Sequence, residues 1–170
     1  MKIIIADSST LITLLDTKNF DLLFKLFHEI IITDEVYAEI THKFYHKEEI
    51  DSHLIQNNLK LQSVEHKEMY EMLTKRLDRG EAESITLAKK LELPLIIDER
   101  KGRNIANSLG IPIIGLIGIL LKLLEKEILS KEEAIEVIEQ VEANDFRLSD
   151  GLKDLIYKYK SQTLTSKAKP

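Results

Sequence analysis

Two aspartates close apolar runs in this chain: Asp7 ends Lys-Ile-Ile-Ile-Ala-Asp (2–7) and Asp98 ends Leu-Pro-Leu-Ile-Ile-Asp (93–98). An acid at the end of a buried run is costly unless a cation meets it there, so two such ends point to one shared site. Runs of this kind read as strands of a parallel sheet, and ligands of open α/β sheets bind just beyond the carboxyl ends of the strands. Two glutamates can join them. The helix expected over 81–92 has Ala82, Ile85, Leu87, Ala88 and Leu91 as its apolar positions, whose mean direction falls roughly 25° from Glu81 and nearly opposite Glu83. Glu81 is therefore expected to point with the buried stripe and Glu83 away from it. On the helix expected over 35–43, Glu39 lies about 60° to one side of the Val36–Ile40 line, at the boundary of the stripe. Four carboxylates in one pocket repel and raise one another's pKa, so the set Asp7, Glu39, Glu81 and Asp98 calls for divalent cations. Hard oxygen donors without histidine or cysteine favour Mg²⁺ or Mn²⁺.

The elements that must position these acids alternate. Strands are expected at 2–6, 29–32, 94–97 and 111–114, and helices near 9–16, 20–28, 35–43, 81–92, 101–109, 115–127, 131–142 and 150–160. The segment 44–76 reads as mostly helical and highly charged, broken after Asn57-Asn58 by a short extended piece from Leu59 to Val64. Such alternation favours right-handed βαβ crossovers and helices on both faces of a parallel sheet. The expected fold is a three-layer α/β/α sandwich around a central, mainly parallel sheet.

With 170 residues the chain can bury one substantial core. A single domain is expected over 1–160, followed by a flexible polar tail, 161–170. The charged fraction of 31% against 44% hydrophobic excludes a disordered or fibrous class. There is no cysteine, which removes disulfides, thiolate zinc sites and a cysteine nucleophile and makes a cytoplasmic chain the simplest reading. The first acid comes too early for a signal peptide, and the longest apolar stretch, Ile111 to Leu124, is too short and too interrupted to span a bilayer. A net charge of −5 gives no general basic footprint, so any nucleic-acid contact must be local.

Four motifs in order carry a family resemblance: Asp7-Ser8-Ser9-Thr10-Leu11-Ile12, Val36-Tyr37-Ala38-Glu39-Ile40, Gly80-Glu81-Ala82-Glu83-Ser84-Ile85-Thr86-Leu87-Ala88 and Leu95-Ile96-Ile97-Asp98-Glu99-Arg100. Together they resemble the PIN domain, and in particular its PIN-like branch of predicted nucleases related to the toxins of toxin–antitoxin pairs. Asn144-Asp145-Phe146-Arg147-Leu148-Ser149 is also similar to that branch. The resemblance implies a metal-dependent ribonuclease whose acids match Asp7, Glu39, Glu81 and Asp98, with RNA as substrate and an antitoxin protein as a partner. Many PIN domains have aspartate at the third position; this chain has Glu81, with Glu83 two residues on, and both stay open as the third acid.

The implied mechanism is metal-assisted phosphodiester hydrolysis, with Asp7 as the central ligand, Asp98 a direct or water-mediated one, and Glu39 and Glu81 completing the shell or positioning water. Ser8 and Ser9 follow the first strand; N-capping suits Ser8, while the Ser9 hydroxyl can equally hold a water or phosphate. Arg100, Lys101 and Arg103 open the helix after Asp98 and could contact a phosphate backbone, although charge runs are usually solvated faces. Glu99 is a weaker candidate. His42 and His46 stand four apart on an expected helix, but Lys43 replaces the glutamate of a zinc-protease motif, so surface histidines are the better reading. A receiver-type phosphoaspartyl domain would want adjacent acids near the first strand, where Ser8 and Ser9 stand. A PIN-like domain kept as a nucleic-acid or protein-binding module is the alternative in another class, since no aromatic stacking platform is visible. Apolar residues from Ile117 to Leu124 and Ile135 to Val141 would serve a homodimer, or simply the core.

Overall fold

The computed structural model describes residues 2–160, so the expected tail lies outside the described residues. In chain order the elements are β1 (Ile3–Ala6), α1 (Ser8–Asp16), a 3₁₀ turn (Phe20–Lys25), β2 (Glu29–Ile32), α2 (Asp34–Ile40), α3 (Phe44–Ile55), β3 (Leu59–Leu61), α4 (Glu68–Thr74), α5 (Arg79–Leu91), β4 (Leu95–Ile96), α6 (Arg100–Ser108), β5 (Ile113–Ile114), α7 (Leu116–Glu125), α8 (Lys131–Ala143) and α9 (Asp150–Tyr157). Isoleucine-rich β1 and β2 suit the pleated interior, where β-branched side chains pack on both faces. Several helices start where polar side chains take up free N–H groups: Thr33 caps α2, Asp78 caps α5, Glu99 caps α6, and Ser130 with Glu133 forms a capping box on α8.

The five strands pair in parallel throughout, in the order β3-β2-β1-β4-β5. The short extended piece expected after Asn58 is thus the edge strand β3. From β1 the chain builds outward through β2 and β3, then returns to the other side of β1 for β4 and β5. That reversal makes the β1/β4 junction the switch point of the sheet, the place where a crevice opens at the strand ends. Each face carries its own apolar cluster. Ile4, Ala6, Ile30, Ile32 and Ile96 pack with α1, α2, α3 and the C-terminal helices α7 to α9, while Ile5, Ile31, Leu95 and Ile97 pack with α4, α5 and α6. The three-layer sandwich follows from crossovers taken in opposite directions from β1, which cover both faces of the sheet.

The apolar residues of the C-terminal helices go into this packing: Ile117, Ile119, Leu120, Leu123, Leu124, Val137, Ile138 and Val141 are buried in the first cluster. Among the described residues no helix is long and apolar enough to cross a membrane.

Candidate active site

Asp7 begins the site because β1 delivers it to the switch point. Its N–H donates to the Ile96 carbonyl at 3.0 Å, which continues the β1–β4 ladder one step past Ala6. The side chain is 2% exposed, and its Oδ1 has no hydrogen-bond partner. Oδ2 accepts a long bond from the Ser9 hydroxyl at 3.4 Å. Burial pushes the Asp7 carboxyl up to about 7; the charges of Asp78 and Glu39 add to this, while the N–H groups of Ser8 and Ser9 at the start of α1 pull the other way without closing a capping bond.

Glu81 reaches the same edge from the first turn of α5. It is 6% exposed, its Oε1 also lacks a partner, and burial followed by the charges of Asp78 and Asp7 raises it to about 7. Its backbone N–H donates to Asp78 Oδ1 at 2.8 Å. Glu39 comes in half-buried from α2; burial raises its pKa and the Ser8 hydroxyl opposes that, with Asp78, Glu35 and Glu83 adding repulsion. Asp7, Glu39 and Glu81 therefore share one field, and Asp78 is a fourth acid in it that the sequence reading passed over. Its signal was present: an aspartate three residues before Glu81 has the spacing of a helix cap, and a cap at the first turn must lie beside whatever that turn presents.

Asp98 is held differently. The Thr10 hydroxyl, one turn into α1, donates to its Oδ2, and the Leu116 N–H at the start of α7 bonds both oxygens, at 3.2 and 3.0 Å. Burial raises its pKa, while these two donors and the Arg103 guanidinium lower it. Thr10 ties Asp98 to the helix that Asp7 begins. Among the described residues no group of three His, Cys, Asp or Glu side chains is already gathered closely enough to hold an ion.

Glycines make room for three of the carboxylates, Glu39, Glu81 and Asp98. A Cβ on Gly80 would lie 2.7 Å from Glu39 Oε1, and one on Gly102 would lie 2.7 Å from Glu81 Oε1 and 2.5 Å from Ile97 Cδ1. A Cβ on Gly115 would overlap Asp98 Oδ1 and stand 2.9 Å from Arg103 Nη1. Helices α5 and α6 and the loop before α7 thus approach the acids more closely than a side chain at these positions allows.

The basic residues divide. Arg100 and Lys101 are exposed at the start of α6, as phosphate contacts require, whereas Arg103 turns inward and donates to the Ile97 carbonyl at 2.8 Å. Glu99 caps α6 through the Lys101 N–H at 3.0 Å. Glu83 does not follow its helical phase outward. It is 2% exposed because α5 is covered on several sides, by the sheet and by α2, α4 and α6. The histidine reading also changes: α2 ends at Ile40 and α3 begins at Phe44, so His42 and His46 share no helix. His42 is exposed, but His46 is buried, bonded to the Ile40 carbonyl at 3.2 Å and to Asp16 Oδ1 at 2.9 Å.

A family model, DUF3368, described as a PIN domain, matches residues 3–161. Among solved structures, a PilT N-terminus domain protein from the hyperthermophilic archaeon Sulfolobus solfataricus is 23% identical over 74% of this chain and 95% of that one, with a TM-score of 0.49. No curated protein matches.

Proposed function

Because the chain belongs to the PIN domain family, whose members are generally nucleases, we propose that it is a metal-dependent ribonuclease that hydrolyses phosphodiester bonds of RNA with Mg²⁺ or Mn²⁺. The observation that carries the metal is the pair of buried carboxylate oxygens without a hydrogen-bond partner, Asp7 Oδ1 and Glu81 Oε1. Left without a counter-charge, both acids are driven towards the neutral form, and a hard cation suits such oxygens. The donor set fits the ion in chemistry.

Asp7 and Glu81 would hold the cation directly, with Glu39 and Asp98 completing the oxygen shell. When bound, the ion supplies positive charge that neutralises the acids, acidifies an attacking water and offsets charge on the phosphate and leaving oxygen. The rest falls to the chain. The Ser8 hydroxyl favours the charged form of Glu39, Thr10 and the Leu116 N–H orient Asp98, and Arg103 fixes the end of β4. Ser9, three residues past the end of β1, offers a hydroxyl to a phosphate oxygen, and exposed Arg100 and Lys101 offer cations to the flanking backbone.

This activity suits the toxin of a toxin–antitoxin pair acting on cytoplasmic RNA. The direct test is cleavage of a labelled single-stranded RNA by purified protein: turnover with Mn²⁺ or Mg²⁺, none in EDTA, and none by Asp7→Asn. Metal binding without cleavage of any RNA would favour the binding-module alternative. Growth arrest on expression, relieved by a neighbouring gene product, would establish the toxin role.

A further inference from the structure

Glu83 is a buried carboxylic side chain that the cleavage chemistry does not use. Both oxygens are occupied: Oε1 lies 2.6 Å from His66 Nε2, and Oε2 accepts from the Glu35 N–H at 3.1 Å. His66 is in turn stacked flat on Tyr70 of α4, with ring centroids 3.8 Å apart and planes 9° apart. One carboxylate on α5 thus gathers the N-terminal turn of α2 and the segment that leads into α4.

The two helices it joins are the ones that bring glutamates to the site. Glu39 stands one turn after Glu35 on α2, and Glu81 stands two residues before Glu83 on α5. Their separation has little slack, since a Cβ on Gly80 would already press on Glu39 at 2.7 Å. Burying a carboxylate is expensive, and a hydrophobic residue would join two helices at less cost; what a carboxylate adds is a directional bond that sets register. We infer that Glu83, with His66 as its second partner, is a positioning residue that locks α2 to α5 and so sets the distance at which Glu39 and Glu81 meet a shared cation. This rests on the reading above that those acids hold the ion.

The role separates from both obvious alternatives by Mn²⁺ titration calorimetry on folded protein, well below each variant's melting temperature. Wild type binds Mn²⁺; Glu83→Ala binds about tenfold or more weakly, the range seen when an outer hydrogen-bond partner of a ligand is removed. Glu83→Gln stays within about threefold of wild type, because its amide oxygen still accepts from the Glu35 N–H. His66→Ala loses less than Glu83→Ala, because the Glu35 bond remains. If Gln weakens binding as much as Ala does, Glu83 is itself a ligand and the positioning role is wrong. If Ala lowers the melting temperature with metal affinity unchanged, Glu83 is only an ordinary buried partner and the proposal again fails. A Glu83→Ala chain that does not fold leaves His66→Ala as the deciding variant: affinity equal to wild type overturns the lock. A wild-type chain that binds no Mn²⁺ overturns the cation reading itself, and the lock with it.

Discussion

Asp7 and Asp98 occupy equivalent places in the sequence, each ending an apolar strand, and adjacent places in the fold, yet their surroundings are opposite. Asp98 receives a hydroxyl, a backbone N–H to both oxygens and a nearby guanidinium. Asp7 receives a single long hydroxyl bond, keeps one oxygen without a partner, and faces other acids instead of a cation. The protein has already compensated one aspartate and left the other in deficit. A buried carboxylate in deficit is where a cation gains most, which supports the proposal that the β1 end is the centre of the site and the β4 end its support.

The contrast is broken most directly by removing each acid in turn. Asp7→Asn should lower the proposed metal-dependent RNA cleavage by about 10³-fold or more, since it takes away the proposed central ligand. It should also raise the melting temperature of the metal-free protein by a few degrees, because one source of buried repulsion is gone. Asp98→Asn should cost less activity and should lower metal-free stability, because it disturbs a satisfied network. Equal activity losses with equal stability shifts would erase the distinction. Gly102→Ala and Gly115→Ala then test the close approaches on either side. Each should destabilise by about 1–3 kcal/mol in denaturant unfolding, because the added methyl meets a carboxylate with little room to move. Wild-type stability for either would mean that the acids shift freely.

Thr10→Val sharpens the comparison from the supporting side. Without its hydroxyl donor Asp98 loses one of its anchors, and Mn²⁺ affinity by calorimetry should fall about tenfold with Asp7 untouched. The smallest effect is that of pH on the metal-free protein. Asp7 and Glu81 titrate near 7 in the folded chain, against ordinary values of 3.8 and 4.5. Between those limits the folded state holds protons that the unfolded state has released, so their contribution to stability is full below about pH 4, falls as pH rises, and levels off above about pH 7. The metal-free melting temperature should therefore drop by a few degrees between about pH 5 and pH 7.5, and Asp7→Asn should flatten the slope. Stabilisation by Mn²⁺ should be larger at the higher pH.

The strand ends were legible because burial on both faces imposes continuous apolar runs, and an acid at the end of one stands out. The parallel sheet could be anticipated from the alternation of strands and helices, and the inward phase of Glu81 from its stripe, whereas the strand order that sets the switch point could not. Glu83 was not legible in the same way. Phase counts one buried face, whereas α5 is covered on several, so two glutamates about 200° apart are both buried. His46 was misread for a related reason: the break between α2 and α3 turned an apparent helical pair into one exposed and one buried ring.

The sequence by itself determined the alternation of elements, the parallel sheet, the placing of Asp7 and Asp98 at its carboxyl edge and the absence of thiol chemistry, because each depends on residue type and near neighbours along the chain. Only the tertiary structure decided which aspartate is satisfied, that Asp78 joins the acids, that three glycines admit them, and that Glu83 ties two helices together. Thr10 and Asp98 are 88 residues apart, and Glu35 and Glu83 are 48 apart. Whether a buried carboxylate finds a donor is settled by contacts across such distances, and no local pattern encodes them.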